Sequence, residues 1–384
     1  MQLHSLLSSL SLATGARLFW LNTPSVVACI SSRIHTASLT LGDSLRATVK
    51  KLQLWLSAAS SRILHSATTF AVTPSANHHH QSKMQPPLTE AQAFGLLTAY
   101  TFVYVLPLYA SSKTRASPDR SRDAPEAIRA RIWTVSLSTT ACSLATFFIL
   151  RHVCLGSACS ALRLMGYWPL GLAETLRTCV LTGVLFAAPL YECLVVDGVW
   201  REWVHGLEPL RHVWAEWPAW RNYVAGPITE ECLFRAAAVP LLLKAGSSLG
   251  RVIFLSPVVF GLAHVHHFYE FRVTHPETPL VAAIARSVLQ FAYTSLFGAL
   301  ANFLFLRTGS LLAVVLVHAF CNSMGLPRVW GGVEPYWLSQ ADASKSRQAV
   351  LWSGVYYVLL FGGAYAWWRN LYTLTESPLA LTVF

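Results

Sequence analysis

The feature of this chain that most limits its possible folds is a series of apolar runs, each close to membrane-spanning length. From residue 93 onward these runs follow one another with polar loops between them. About 20 helical residues cross the hydrocarbon core, where only helices and closed barrels satisfy the backbone. We therefore predict an all-α polytopic membrane protein with about eight transmembrane helices. The predicted spans are 93–111, 133–155, 178–196, 227–244, 251–268, 280–306, 310–327 and 350–368.

The amino-acid composition agrees with membrane insertion. The 384 residues are 54% hydrophobic and 12% charged, which is about half the charged fraction of a soluble protein. The net charge of +11 is expected in cytosolic loops that face anionic lipid, so we predict membrane lipid and not nucleic acid as a partner. The eight cysteines show no paired spacing, and no disulfide framework is expected.

Residues 1–83 differ from the rest of the chain. They contain one acidic residue, Asp43, against seven basic ones, and they are rich in serine, threonine and alanine. That composition is typical of a targeting peptide. A disordered tail, or translated upstream sequence before Met84, is an equal alternative. We predict an N-terminal extension over 1–83 and a multi-helix transmembrane domain over 84–384.

Charge in the loops predicts the orientation. Loop 112–132 carries six basic and three acidic residues, so the positive-inside rule places it in the cytosol. Counting spans forward places loop 197–226 on the same side. Its interleaved tryptophans and arginines favour a helix that lies on the bilayer surface. A soluble tryptophan-rich cap is the alternative.

A pair of carboxylates lies at the head of the apolar run 227–244. Pro227 suits the first turn of a helix, so we expect Glu230 and Glu231 at the positive end of the helix dipole. Glu231 and Arg235 form an i,i+4 acid–base pair. Carboxylates at membrane depth are costly and usually functional. The alternative is a structural Glu–Arg clamp.

Three further polar residues lie in later apolar runs. His264 ends one predicted helix, and His318 and Asn322 share one face of another because they are four residues apart. With Glu230 they fit a hydrolytic site in which a glutamate activates water and a His/Asn pair binds the oxyanion. Hydrogen bonds that hold helices together are the alternative for His318 and Asn322.

A zinc site is the second possibility for the same residues. Two histidines and a glutamate are legitimate zinc ligands. The chain has no HExxH motif, the usual helical carrier of that chemistry. We therefore predict a metal-free mechanism without a cofactor, with zinc as the runner-up.

In three ordered motifs the chain resembles the type II CAAX prenyl endopeptidases, the Ras-converting proteases. The family pattern EExxxR, FxxxH and HxxxN is matched without departure, and the resemblance is strongest over about 200–350, the expected catalytic core. The runs AHVHHFYE and HAFCNSMGLP resemble the eukaryotic branch. The matching residues are Glu230, Glu231, Arg235, Phe260, His264, His318 and Asn322.

The resemblance implies an activity that composition does not. Such enzymes remove the last three residues of farnesylated or geranylgeranylated CAAX proteins, including Ras- and Rho-like GTPases. It implies an intramembrane catalytic cavity in the endoplasmic reticulum membrane, accessible from the cytosol. Glu230 and His264 would activate water, His318 and Asn322 would bind the oxyanion, and Glu231 and Arg235 would support them. A non-catalytic membrane scaffold or transporter is the alternative of another class.

Overall fold

The computed structural model describes residues 87–118, 120–337 and 347–384, which form α-helices joined by loops. The described residues contain no β-strand, only one isolated bridge, so the all-α class is confirmed. The extension predicted over 1–83 lies outside the described residues. The helices are α1 (Glu90–Ala110), α2 (Pro125–Val153), α3 (Ala158–Leu164), α4 (Leu172–Leu185), α5 (Ala187–Val196), α6 (Trp200–Gly206), α7 (Glu208–Ala215), α8 (217–244), α9 (Arg251–Thr274), α10 (Leu280–Thr308), α11 (Leu311–Met324) and α12 (Arg347–Thr375).

Five of these helices, α1, α2, α9, α10 and α12, are long and apolar enough to cross a membrane. Helices α4 and α5 make a sixth span if they are counted together, although the chain bends by 79° between them. The other two predicted spans are also helical, but α8 carries several charged residues and α11 has only 14 residues. All eight predicted stretches are therefore helical in a multi-pass membrane protein, while the number of complete crossings stays a prediction.

Helix α8 is enclosed by other helices. Leu233, Ala236, Val239 and Leu241 expose none of their surface, and the helix packs against α1, α2, α10 and α11. The second half of α8, residues 236–243, is apolar around its whole circumference, and such a stretch belongs in the interior of a bundle. Because protein shields α8 from lipid, its charged side chains can find protein partners instead of hydrocarbon.

Several turns are widened into π-helical geometry just before a proline. A proline lacks the N–H group and its ring clashes with the carbonyl four residues earlier, and a wider turn relieves this conflict. The widened turns are Arg221–Ala225, Cys232–Ala237 and Arg251–Leu255, followed within three residues by Pro227, Pro240 and Pro257 respectively.

The widened turn before Pro227 corrects one prediction. Helix α8 does not begin at Pro227 but runs through it from residue 217. Glu230 and Glu231 consequently lie in the interior of a helix, and its positive dipole end is not what stabilises their charges. Their stabilisation has to come from other side chains, on α8 itself and on neighbouring helices.

The tryptophan-rich loop 197–226 contains two short helices, α6 and α7, and the beginning of α8. Trp200, Trp203 and Trp214 expose 40% or more of their surface. Exposed tryptophan beside arginine is the composition expected at a lipid headgroup layer. The interfacial placement and the alternative of a soluble cap both stay predictions.

Helices α9 and α10 cross closely at a glycine. A Cβ atom on Gly298 of α10 would lie 2.8 Å from the Cβ of Pro257 and 3.2 Å from the Cδ1 of Phe260, both on α9. Small residues at a helix crossing allow two backbones to approach within a membrane. Gly298 therefore sets the distance between α10 and α9, the helix that carries His264.

We predict that Gly298→Ala lowers the thermal unfolding temperature of the detergent-solubilised protein, because the added methyl group must displace the rigid ring of Pro257. Overpacking of this kind costs about 1–3 kcal/mol. The matched control is Gly362→Ala on α12, where a Cβ would meet no atom within 4 Å and better helix propensity predicts a neutral or slightly stabilising change. Equal unfolding temperatures for the two variants would contradict the close crossing.

Candidate active site

The two adjacent glutamates of α8 lie in different environments. The Glu231 side chain is completely buried, at 0% exposure, whereas Glu230 keeps 20% of its side-chain surface exposed. Successive residues of a helix point about 100° apart, so one carboxylate faces the helix packing and the other faces the more open side. Glu230 is therefore the carboxylate of the pair that a water molecule can reach.

Glu231 is held in a buried ion pair with Arg235. The Arg235 Nη1 atom lies 3.1 Å from Glu231 Oε1, and the two side chains are 1% and 0% exposed. The guanidinium also donates from Nη2 to the carbonyl oxygen of Gly298 at 3.2 Å and lies over the ring of Phe260. The pair links α8 to the crossing of α9 and α10 and anchors the carboxylate.

His318 on α11 is attached to the same carboxylate. Its Nδ1 atom lies 2.7 Å from Glu231 Oε1, and its ring packs against Phe297 with the ring centres 4.5 Å apart. A carboxylate can only accept a hydrogen bond, so Nδ1 carries the proton and donates it. This bond orients the other nitrogen, Nε2, toward Glu230, whose Oε2 atom is 4.0 Å away.

His264 approaches Glu230 from the opposite helix. It lies where α9 is interrupted at residues 264–265, and its Nδ1 lies 2.9 Å from the carbonyl oxygen of Phe260. Because a carbonyl only accepts, Nδ1 is the donor, and Nε2 of the neutral ring is left with a lone pair. That Nε2 atom lies 3.9 Å from Glu230 Oε2.

One oxygen of Glu230 is thus faced by two imidazole nitrogens from two other helices. Separations of 3.9 and 4.0 Å are too long for direct hydrogen bonds and suit a bridging water. The sequence analysis selected Glu230, His264 and His318 from three motifs that are distant in the chain, and the structure brings these three side chains together. Their catalytic role stays a prediction.

Asn322 lies one helical turn after His318 on α11. Its Nδ2 atom donates to the carbonyl oxygen of Asn222 at 2.9 Å, in the widened turn of α8 that precedes the glutamates. Within the described parts of the chain, no hydrogen bond joins the Asn322 side chain to Glu230 or His318. The structure therefore places Asn322 beside the site as a link between α11 and α8.

A second polar cluster adjoins this site at the end of α9. Arg131 and Arg122 pair with the two oxygens of Glu270, and His267 Nδ1 lies 2.9 Å from Glu270 Oε2. The donor atoms of His266, His267 and Glu270 lie within 4.8 Å of one another, which is a spacing suited to a metal ion. Two guanidinium groups on the only carboxylate of this set repel a cation, and the cluster is an ion-pair network.

The sequence analysis missed several residues that shape the site. The Tyr104 hydroxyl lies 3.1 Å from Thr229 Oγ1, next to Glu230. Phe297 packs on His318, and Asn222 accepts the bond of Asn322. An aromatic residue in an apolar run does not by itself indicate a functional site. The position of a backbone carbonyl cannot be predicted from residue types. Only the charge of Arg122 in a basic loop was visible in advance.

Comparison with known proteins agrees with this arrangement. Residues 212–324, which include every predicted site residue, match the family model described as type II CAAX prenyl endopeptidase Rce1-like. No solved structure matches the chain significantly.

Curated relatives cover more of the chain. A probable CAAX prenyl protease 2 of Schizosaccharomyces pombe is 36% identical over 235 residues, which are 61% of this chain and 81% of the relative. The CAAX prenyl protease 2 of Homo sapiens is 34% identical over 56% of this chain and 66% of its own length. That of Saccharomyces cerevisiae is 26% identical over 76% of this chain and 98% of its own length. This chain belongs to the type II CAAX prenyl endopeptidase family.

Proposed function

We propose that this protein is an intramembrane endopeptidase that removes the C-terminal tripeptide from prenylated CAAX proteins. The observation that carries the proposal is the position of Glu230 Oε2, which two imidazole Nε2 atoms face at 3.9 and 4.0 Å. The names of the relatives, CAAX prenyl proteases of fungi and of humans, supply the substrate class. Farnesylated and geranylgeranylated proteins, Ras- and Rho-like GTPases among them, are the proposed substrates.

In the proposed reaction, Glu230 and His264 activate a water molecule. A water between Glu230 Oε2 and His264 Nε2 would meet a carboxylate and an imidazole lone pair, both of which can accept its proton. The hydroxyl adds to the carbonyl carbon of the prenylated cysteine, and the bond to the next nitrogen breaks. The proton then passes to the leaving amine, which releases the tripeptide and a free cysteine carboxylate.

His318 and Asn322 are the proposed partners of the oxyanion. His318 can donate from Nε2 when both ring nitrogens carry protons, and the Glu231 carboxylate at Nδ1 would balance that charge. The Asn322 amide has two N–H groups, so it can hold the Asn222 carbonyl with one and donate the other. Glu231 and Arg235 do not touch the substrate in this scheme and act by fixing His318.

The surroundings of the site support access from the cytosol. Arg122, in the basic loop between α1 and α2, lies 2.8 Å from His267, and the His267 ring is 5.9 Å from that of His264. The loop predicted to be cytosolic therefore adjoins the proposed catalytic residues. A prenyl chain inserted in the lipid would present its cysteine at this margin. We propose the endoplasmic reticulum as the membrane concerned, as the family resemblance implies.

We propose a metal-free mechanism, with zinc bound by Glu230, His264 and His318 as its alternative. In favour of the first, the chain has no HExxH motif. Among the described residues, the ligand atoms of His266, His267 and Glu270 lie within 4.8 Å of one another, whereas those of Glu230, His264 and His318 form no such group. The scaffold or transporter alternative would use the same residues without turnover.

We expect Glu230→Gln to reduce cleavage of a farnesylated CAAX peptide by about 10²- to 10⁴-fold, since the amide cannot accept the proton of water. Membranes containing each variant would be assayed for tripeptide release. The matched control is Glu277→Gln in the exposed loop before α10, which should retain full activity. Unchanged turnover in Glu230→Gln would refute the mechanism, and loss of folded protein in that variant would favour the structural clamp.

Chelation separates the two mechanisms. We expect cleavage by purified protein to survive prolonged treatment with a zinc chelator, because Glu230 and His264 can activate water without a Lewis acid. Tripeptide release would be measured before treatment, after it, and after zinc is added back. Activity that is lost on chelation and restored by zinc would establish the metalloprotease alternative.

Substitutions in the buried ion pair are predicted to affect the stability of the protein and its cleavage activity differently. Arg235→Met should destabilise the protein by about 3–5 kcal/mol, because it leaves the Glu231 charge buried without its partner. The double variant Glu231→Leu/Arg235→Met removes both charges and the acceptor for His318 Nδ1, and it should recover most of the unfolding temperature. Its cleavage activity should stay low, since His318 loses the carboxylate that orients it. A double variant with full activity would show that this orientation is dispensable.

A further inference from the structure

Arg286 on α10 is a half-buried cation with no carboxylate within ion-pair distance among the described residues. Its Nε and Nη1 atoms are shielded from solvent and make no hydrogen bond to any described residue. The guanidinium lies 4.7 Å over the ring of Phe271, which shields one face of the cation. A buried guanidinium with unsatisfied donors is costly unless an anion binds to it. Arg286 therefore has the properties of a binding group for an anion that comes from outside the chain.

The neighbouring acidic residues are already occupied by other arginines. Glu270 accepts from Arg131 at one oxygen and from Arg122 and His267 at the other. Arg286 interacts electrostatically with both Arg122 and Glu270. Three arginines thus surround one carboxylate and leave a surplus of two positive charges at this end of α9 and α10.

Asp123 does not remove that surplus. Its Oδ1 atom lies 2.6 Å from Arg221 Nη1 and 3.9 Å from Arg122 Nε. Arg221 thus balances the charge of Asp123. Since Arg221 is not one of the three arginines around Glu270, the surplus of two positive charges remains.

The α10 helix connects Arg286 with the proposed catalytic residues. Tyr293 and Phe297 follow Arg286 by seven and eleven residues, so all three share one helix face. Phe297 packs on His318, and Tyr293 interacts electrostatically with Glu230 at one end and Arg286 at the other. This face extends from the carboxylates of α8 to the unpaired cation.

The length of this connection matches three residues of substrate. Arg286 and Tyr293 are separated by about 10 Å of helix rise. An extended tripeptide also spans about 10 Å. If the scissile bond lies beside Tyr293, which interacts electrostatically with Glu230, a tripeptide extended along α10 would bring its C-terminal carboxylate near Arg286 and its neighbour Arg122.

We propose that Arg286, assisted by the charge of Arg122, binds the C-terminal carboxylate of the substrate and so measures three residues back to the bond that is cut. The inference rests on the proposed endopeptidase function. An arginine is suited to this task because its planar donors match the two oxygens of a carboxylate. With such an anchor, the enzyme recognises a free C-terminal carboxylate as part of the substrate. That carboxylate must belong to the residue directly after the aliphatic pair.

The test compares a farnesylated CAAX peptide that ends in a carboxylate with the same peptide ending in an amide. We expect wild-type protein to cleave the acid with a kcat/KM about 10- to 100-fold above that of the amide, a ratio typical of a charged hydrogen bond. Arg286→Gln should lose this preference because its kcat/KM falls for the acid peptide and stays unchanged for the amide peptide. Arg286→Lys should recover part of the preference. Arg369→Gln, at an exposed position of α12, is the matched control and should keep the wild-type ratio.

The outcomes distinguish this inference from the function on which it rests. Wild-type protein that cleaves acid and amide equally would overturn the anchor and leave the protease intact. An unchanged ratio in Arg286→Gln would place the anchor elsewhere. An equal fall on both substrates would make Arg286 a structural residue or a lipid-headgroup contact, and would also overturn the inference. If the wild-type protein cleaves neither peptide, both the proposed endopeptidase function and the carboxylate anchor are wrong.

Discussion

The buried contact between Glu231 and Arg235 determines how the rest of the site is arranged. Glu231 uses one oxygen to hold both Arg235 on its own helix and His318 on α11, and Arg235 reaches the carbonyl of Gly298 on α10. Three helices are thereby fixed at one carboxylate that water does not reach. The cost of burying two charges is offset in part by this pairing, although Glu231 Oε2 and Arg235 Nε are buried without a hydrogen-bond partner among the described residues. The buried pair fixes the orientation of the His318 ring, which a solvent-exposed pair would not do.

The neighbouring glutamate shows why two adjacent acids can serve different purposes. Glu230 shares the helix and the chemistry of Glu231, but its Oε2 atom lies 3.9 Å from His264 Nε2 and 4.0 Å from His318 Nε2, close enough for one water molecule to contact the carboxylate and an imidazole together. Each histidine is oriented by the hydrogen bond at its other nitrogen, to Phe260 in one case and to Glu231 in the other. The difference between a supporting and a reactive carboxylate therefore arises from about 100° of helix rotation.

The sequence predicted much of this arrangement, because charged residues within apolar runs are rare and expensive in a membrane. That argument singled out Glu230, Glu231 and Arg235, and helical periodicity placed His318 and Asn322 on one face. It failed where the deciding partner was a backbone carbonyl or an aromatic ring, as with Asn222 and Phe297. It also placed the helix start at Pro227, since the usual meaning of a proline is a terminus and a widened turn upstream leaves no mark in composition.

The widened turns also affect how this chain can be compared with others. A π-helical turn accommodates one more residue than an α-helical turn, so the residues beyond it are rotated by about 100° relative to a regular helix. Two such turns enclose the glutamates of α8, at Arg221–Ala225 and Cys232–Ala237. Each widened turn therefore rotates the part of α8 on its far side relative to the glutamates. The first determines the direction of Asn222, and the second determines the direction of Pro240. A one-residue deletion in either turn would restore a regular helix and redirect one flank of α8 while its composition stayed almost the same.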